Sequence, residues 1–575
     1  MAISATDNHA PESRETVAYF SMEIGLEKSI PTYSGGLGVL AGDTIRSAAD
    51  MSVPLVAVSL VHRKGYFRQR LDSVGNQREE PVDWPVAERL AAVEARVAVE
   101  IENRNVRLRA WRYDVRGIAG HVVPVLLLDA DLVENSAEDR RLTDRLYGGD
   151  ARYRLCQEVI LGIGGVRMLR ALGYRNIWRF HMNEGHAALL TVELAHEMAR
   201  ERNEKTITRE VVQMVKPLCV FTTHTPVAAG HDQFPLDLVA RIITGYGHDF
   251  DERAREFCPD DVLNLTQLAL DHSNYVNGVA KRHGEVARQM FTERKIDSIT
   301  NGVHAATWVA PALQTMLDRH IPDWRQDNAS LRHALGIPKL ELWDAHASAK
   351  QELIEYVNET TDAAMDPGAF TIGFARRATT WKRADLLFRD IARLEAIQTR
   401  VGAMQLIYGG KAHPHDDAGK GLIRRIFEVK ATVGEKLKLV YLEEYDMRLA
   451  GLLTSGVDLW LNTPQPPLEA SGTSGMKAAI NGVPSLSILD GWWVEGCIEG
   501  VTGWAIGGDN GIDGGADHAA DAASLYGKLE HVILPMFYAE RDRYIEVMRH
   551  ALAINGSFFN TERMLEQYMR KAYFA

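Results

Sequence analysis

The stretch "VDLWLNTPQPPLEASGTSGMKAAINGVPSLSIL" occupies Val457–Leu489, and the way it divides decides the fold class. "VDLWLN" (457–462) is a short apolar run with β-favouring residues and reads as a buried strand. The prolines of "TPQPP" end it, because proline has no N–H to give to a ladder. "SGTSG" is a glycine-rich turn, "MKAAI" is helix-compatible, and Asn481-Gly482 closes that helix as a C-terminal cap would. "VPSLSIL" is the next strand. The result is one strand, loop, helix, strand unit. Its loop delivers backbone N–H groups to a helix N-terminus, which suits an anion, typically phosphate. Lys477 lies about one turn inside that helix. Two readings stand side by side: a solvated lysine on a short surface helix, and a cofactor lysine whose amine forms a Schiff base beside a bound phosphate.

The same alternation runs through most of the chain. "VAYFSME", "VPLVAVSLV", "VVPVLLLDA", "IWRFHMN" and "CVFTTHT" read as strands. "SGGLGVLAGDTIRSAADMS", "ARYRLCQEVILGIGGVRMLRALG" and "EGHAALLTVELAHEMARERNE" read as helices between them. The pattern restarts with "FTIGFA", "MQLIYGG", "KLVYLEE", "VDLWLN" and "PSLSILD". A polar, helical connection over about 311–367 separates the two sets. Repeated βα units imply parallel sheets covered by helices. The fold class is therefore α/β, with two doubly wound lobes and an active-site cleft between them. The expected division is a flexible arm over 1–16, an N-terminal lobe over 17–310, a C-terminal lobe over 311–545, and a closing helical segment over 546–575.

Composition agrees with a multidomain globular protein. A chain of 575 residues exceeds one ordinary domain. Its net charge of −12 advertises no basic face for nucleic acid. No apolar run approaches the roughly 20 residues of a membrane helix, and the polar N-terminus lacks a secretory h-region. The cysteines (156, 219, 258 and 497) are far apart, which argues against a disulfide framework or a thiolate zinc site and for a reducing, cytoplasmic setting.

Polar groups gather where strands end. "YSGGLG" (33–38) follows the first strand, with glycines that allow close backbone approach. "HMNEGH" (181–186), "THTPVAAGHD" (223–232) and "TNGVH" (300–304) follow later ones. "RRATTWKR" (376–383) sets several cations at a strand end and suits an anionic substrate, although such runs are also common on solvated faces. "GGKAHP" (409–414) and "EEYDM" (443–447) complete the set. His196-Glu197 begins like HExxH, but position 200 is arginine, so the zincin spacing fails. His181, Glu184 and His186 suit either metal ligands or a cleft hydrogen-bond network. No metal is expected.

Taken in order, these motifs resemble the α-glucan phosphorylases, particularly their short bacterial branch. "EASGTSGMKAAING" is similar to that family's pyridoxal-phosphate segment, with a glutamate eight residues before the lysine. "YSGGLGVLAGD", "TNG", "RR…WKR", "GGKAHP" and the closing "NGSFFNTERMLEQYMRKAY" also match, so the resemblance runs from about residue 17 to the C-terminus. It implies a GT-B fold of two Rossmann-like lobes with a C-terminal helix returning to the first. It also implies reversible, retaining phosphorolysis of α-1,4-glucan or maltodextrin to α-glucose 1-phosphate, with pyridoxal 5'-phosphate as cofactor and a homodimer as assembly.

Carried over position by position, the resemblance makes Lys477 the Schiff-base lysine. Thr473 and Ser474 would bind the cofactor phosphate, with Arg376 and Tyr445 lining the cofactor. Arg377, Lys382 and the Gly36 amide would hold the substrate phosphate. Gly35, Gly36, Leu37, Asn301, Glu469, Ser471 and Gly472 would meet the substrate, together with the loop of His224. The chain departs from the long family members at several of these places. Arg376 replaces a lysine and Trp381 a tyrosine. Ser474-Gly475 replaces Gly-Asn, Asp446 an arginine, and Ser34 an asparagine. The regulatory extension of the animal enzymes has no counterpart before the first strand, so no phosphorylation switch is expected. "LYGGD" (146–150) is expected to gate the cleft. Two alternatives stand beside the phosphorylase: a nucleotide-sugar glycosyltransferase of the glycogen-synthase kind, and a non-catalytic glucan-binding homologue. The first would carry a second glutamate about seven residues after Glu469, where this chain has Met476-Lys477.

Overall fold

Two mainly parallel sheets carry the chain. The computed structural model describes residues 15–227, 230–244, 261–509, 511–512 and 514–574. Most of the expected 1–16 arm, Cys258, and Ala228-Ala229 of the "THTPVAAGHD" loop lie outside the described residues.

The first sheet has nine strands in the order Asp297–Ser298, Tyr275–Gly278, Cys219–Thr222, Ile177–Asn183, Thr16–Ser21, Leu55–Leu60, Val122–Asp129, Arg104–Arg116, Ala91–Ile101. Thr16–Ser21 sits between its two parallel neighbours with Tyr19 opposite both Ala57 and His181. Its side chains alternate between two cores. Ala18 and Phe20 join one apolar cluster, and Val17 and Tyr19 join another, so both faces are covered. The last two strands are antiparallel, which the repeated βα reading did not anticipate. They form a long hairpin whose alternating residues place Val99, Ile101, Val106 and Leu108 in the core.

The second sheet has six parallel strands in the order Lys438–Leu442, Met404–Gly409, Phe370–Ala375, Leu459–Asn462, Ser485–Ile488, Gly503–Ile506. Numbered within the lobe, this is the order 3-2-1-4-5-6. The order reverses between Phe370–Ala375 and Leu459–Asn462. In the first sheet it reverses between Thr16–Ser21 and Ile177–Asn183. Loops leaving the carboxyl ends of strands at such a reversal diverge and open a crevice. Both reversals lie where the sequence sets its polar motifs.

Three features join the halves. The helix Thr561–Tyr568, near the C-terminus, packs on the first sheet's helices: Met564, Leu565 and Tyr568 share a core with Ile45 and Leu55. Tyr573 OH lies 2.6 Å from His181 Nδ1, and Tyr568 OH accepts from Asn277 Nδ2 at 3.0 Å. The hairpin Arg68–Leu71/Gln77–Glu80 reaches from the first half to strand ends of the second. There Gln69 donates to the Gly410 carbonyl and Gln77 exchanges two 2.9 Å bonds with Ala412. The segment 311–360 is helical and packs through Leu317, Trp324 and Leu342 into the core of the second sheet. Among the described residues, no helix is long and apolar enough to cross a membrane.

Candidate active site

The loop after Leu459–Asn462 builds the centre of the site. Gly472 sits at φ +90°, a conformation that strains any residue with a Cβ, and it turns the chain into the helix Thr473–Ile480. As its first residues, Thr473 and Ser474 carry N–H groups with no acceptor inside the helix. The Ser474 hydroxyl accepts from Trp460 Nε1 at 3.3 Å. Lys477 follows on the same helix and is buried, with Nζ 3.6 Å from the centroid of the Trp308 ring. Burial pushes its ammonium down to about 8, with Asp43 acting in the opposite sense. A solvated surface lysine is thus excluded for Lys477. Asp43 is itself held by Trp308 Nε1 at 2.7 Å and the His304 N–H at 3.2 Å. Asn481 secures the arrangement, because its amide accepts from the Ala310 N–H and donates to the Trp308 carbonyl, both at 2.8 Å.

Glu469 lies eight residues before that lysine and faces the cations that follow Phe370–Ala375. Arg376 Nη2 donates at 2.9 Å, its Nη1 forms an ion pair at 2.7 Å, and Lys382 Nζ donates at 2.6 Å. All three side chains are buried. Burial works against the Glu469 carboxylate, but Arg376 and Lys382 outweigh it and hold the group at about 2. Lys382 is pushed down to about 7, first by burial and then by Arg376, with Glu469 opposing. At a separation of 2.6 Å, in a pocket holding two cations, the carboxylate is the group fixed in its charged form. Arg376 also donates to Asn462 Oδ1. Lys382 lies 3.6 Å from the Trp381 ring centroid, so the tryptophan that replaces a tyrosine backs this cation. Gly410, at φ +137°, lets the neighbouring strand end close on the Arg376 carbonyl: a Cβ there would lie 1.8 Å from that oxygen.

Asp490 supports Glu469 from behind. Its carboxylate accepts the Glu469 and Gly491 N–H groups at 2.8 and 2.9 Å. Burial, with the Glu469 charge adding, pushes Asp490 up to about 7. The Ser471 hydroxyl is buried with no protein partner. Tyr445 packs beside Gly409, and burial raises its phenol. Asp446, which stands where an arginine was expected, caps the helix Met447–Gly456 by accepting from the Leu449 N–H at 2.8 Å, and it pairs with Lys28 at 3.2 Å.

The glycine loop faces this group from the other half. Gly35 precedes the helix Gly36–Asp50, and a Cβ on Gly35 would lie 3.3 Å from Arg377. Among the described residues, Arg377 is exposed and forms no ion pair. Gly36 opens on free space. Glu23 accepts the Ser34 and Gly35 N–H groups at 2.5 and 3.2 Å, leaving the later amides, Gly36 and Leu37, at the helix start.

His224 and Asn301 make no hydrogen bond to the Glu469 group among the described residues. Burial pushes His224 down to about 3, so it is neutral, and its Nε2 lies 2.6 Å from the acceptor Asn183 Oδ1. Its backbone N–H donates to Glu184 at 2.7 Å, and Glu184 itself sits at φ +76°. Asn301 Oδ1 is buried without a protein partner. The trio considered for metal is taken up by protein contacts: His181 with Tyr573 and Thr222, Glu184 with His224 and Thr225, His186 with Asp232. Sequence reading missed Glu23, Asn462, Asp490 and Trp308. Glu23 and Asn462 stand at strand ends and were accessible to the rule that found the others. Trp308, on the short helix Ala305–Trp308, gave no such signal.

Comparison with known proteins adds an independent finding. A family model described as carbohydrate phosphorylase matches residues 252–504. The chain is 39% identical to maltodextrin phosphorylase of Thermococcus litoralis, over 98% of this chain and 71% of that protein. It is 38% identical to glycogen phosphorylase of Mycobacterium bovis, over 97% and 70% respectively. Against glycogen phosphorylase of Aquifex aeolicus the identity is 34%, over 97% and 86%.

Proposed function

The chain belongs to the carbohydrate phosphorylase family, and from that premise we propose how its own residues carry the reaction. The activity is α-1,4-glucan phosphorolysis: phosphate takes the glucosyl unit at a non-reducing end and gives α-glucose 1-phosphate, reversibly and with retention. We read the architecture as GT-B, two Rossmann-like lobes over 17–310 and 311–545 with the cleft between their reversal points, and 546–575 returning to the first lobe. The strand order 3-2-1-4-5-6 and the packing of Thr561–Tyr568 support this.

Pyridoxal 5'-phosphate fits the residues present. Lys477 offers a buried amine with a depressed proton affinity and no carboxylate partner among the described residues, one turn inside a helix start that suits a phosphate. Thr473 and Ser474 would hold that phosphate, with Arg376 and Tyr445 alongside. When bound, the cofactor's phosphate supplies an acid–base group whose second ionisation lies near neutrality. Arg377, Lys382 and the Gly36 amide would hold the substrate phosphate. An arriving phosphate competes with Glu469 for Lys382 and Arg376, and this frees the carboxylate toward sugar hydroxyls beside Ser471 and Gly472. Lys382, at about 7, can carry a proton or release it as the two anions exchange. A substrate phosphate held there would stabilise positive charge developing on the sugar ring, and a His224 carbonyl facing that ring would add to this. Asn301 and the Gly35–Leu37 loop complete the sugar and phosphate contacts.

The observation that carries this reading is the buried Lys477 amine at the helix start. Borohydride reduction of the purified protein, followed by peptide mass spectrometry across 469–482, tests it. A pyridoxyl-phosphate adduct on Lys477 is the expected result. Unmodified Lys477 in protein prepared with ample vitamin would remove the cofactor assignment and favour nucleotide-sugar transfer.

A further inference from the structure

Tyr147 lies before the helix Ala151–Val159 and is held in the left-handed region at φ +52°, unusual for an aromatic residue. A strained residue persists where its surroundings over-determine it, and here three contacts do so. The phenol donates to Glu23 Oε1 at 3.0 Å. The ring packs on His186, with centroids 5.7 Å apart. The Arg154 guanidinium lies over the same ring, 6.0 Å from its centroid.

Its partner Glu23 is buried, 1% exposed, and is not a substrate contact in the reading above. Its Oε2 takes the Ser34 and Gly35 N–H groups, and its Oε1 lies 3.3 Å from the Ser34 hydroxyl. The carboxylate also explains the third glycine of "SGGLG": a Cβ on Gly38 would lie 2.7 Å from Glu23 Oε2. With two amides fixed on this side, Gly36 and Leu37 begin the helix next to Gly35, where a Cβ would lie 3.3 Å from Arg377. The direction in which those N–H groups point therefore depends on where Glu23 sits, and the Tyr147 hydroxyl sets one of its two oxygens.

We propose that Tyr147 is a positioning residue for phosphate: through Glu23 it fixes the glycine loop whose Gly36 and Leu37 amides begin the helix Gly36–Asp50. The proposal rests on the phosphorolytic reading for its consequence, but not for its geometry. It assigns Tyr147 no contact with the reacting atoms.

Tyr147→Phe removes only the hydroxyl. Two measurements on the holoenzyme decide the matter. In the first, initial rates of phosphorolysis are taken while phosphate and maltodextrin are varied separately. Loss of one hydrogen bond of ordinary strength predicts a KM for phosphate raised about fivefold, with the KM for glucan within about twofold of wild type. In the second, hydrogen exchange is followed by mass spectrometry on the peptide spanning 30–40, where the Ser34 and Gly35 amides should exchange faster in the variant. Glu23→Gln should shift the same two readouts, and the double variant should be no worse than Glu23→Gln alone, because both changes act on one link. Unchanged exchange in Y147F, with phosphate and glucan KM values moving together or not at all, overturns the proposal. If the wild-type protein fails to turn over glucan with phosphate, the phosphorolytic reading falls, and exchange alone decides the positioning: faster exchange in Y147F upholds it and unchanged exchange overturns it.

Discussion

Glu469→Gln isolates the charge that holds the buried Arg376, Lys382 and Glu469 group together. The variant keeps the shape of the side chain and one acceptor oxygen, but leaves the buried Arg376 facing a neutral amide and removes the charge that holds the proton on Lys382. In the native fold the Glu469 carboxyl is held at about 2 rather than 4.5. That difference corresponds to about 3 kcal/mol of stability at neutral pH. Removing one partner of a buried pair costs about 3–5 kcal/mol, and the retained acceptor favours the lower end. Because folding depresses this pKa, the contribution is fully present above about pH 4.5 and is lost as pH falls toward 2. The gap between wild type and variant should close over that window. At pH 7 in phosphate-free buffer, calorimetry should show the variant's Tm about 6–12 °C lower, taking about 2–4 °C per kcal/mol for a lobe of roughly 200 residues. Inorganic phosphate, compared with chloride at equal ionic strength, should then raise the variant's Tm more than the wild type's. Ligand at a hundredfold over Kd adds about 2.7 kcal/mol, and in the variant it displaces no resident carboxylate. An unchanged Tm, or equal phosphate responses in the two proteins, would refute the reasoning.

Two further substitutions probe the surroundings. Trp308→Ala removes the ring against Lys477 Nζ, at a cost in stability of about 3–5 kcal/mol. Desolvation is what pushes this amine from 10.5 down to about 8, and it outweighs a cation–π contribution of about 2 kcal/mol. The pH midpoint for trapping pyridoxal on Lys477 with borohydride should therefore rise by roughly one pH unit. A midpoint that stays put or falls would contradict this. Gly410→Ala puts a Cβ 1.8 Å from the Arg376 carbonyl at a φ of +137°, so the turn carrying Arg376 and Arg377 has to move. A displacement of about 1 Å predicts a loss of about 100-fold in kcat/KM. Wild-type kinetics would mean that this turn does not set the geometry.

The fold was legible where burial is apolar. Leu459–Asn462, Phe370–Ala375 and Thr16–Ser21 are covered on both faces, so they read as continuous apolar runs and their order along the chain gave the α/β class. The antiparallel hairpin of the first sheet was missed, although "ARVAVEI" and "RNVRLRAW" alternate with period two, the signature of a half-exposed strand. The hairpin Arg68–Leu71/Gln77–Glu80 carried no such signal. It is polar because its partners are backbone and carboxylates of the other half: the buried Gln69 and Gln77 are satisfied by Gly410 and Ala412, not by a core. No periodicity within one segment reports a partner more than 300 residues away.

The site shows the same division between residue type and partnership. Cations at one strand end and a glutamate in a glycine-rich loop could be read from the sequence as pieces of anion and sugar recognition. Their direct pairing could not, because Arg376 and Glu469 are 93 residues apart and meet only when the second sheet forms. The physics nevertheless required some such pairing. Two buried cations are not tolerated without a counter-charge inside the protein. Arg376 and Lys382 are buried, so a carboxylate had to lie within hydrogen-bonding reach of both. Among the described residues Glu469 is the one that does. A cation assigned to a phosphate on sequence grounds therefore raises a second question, which carboxylate it holds when it does not hold the phosphate. Here the answer is the glutamate expected to bind the sugar. On the proposed reading, phosphate binding and release of the Glu469 carboxylate are one event, and the two substrates are then felt through the same side chain.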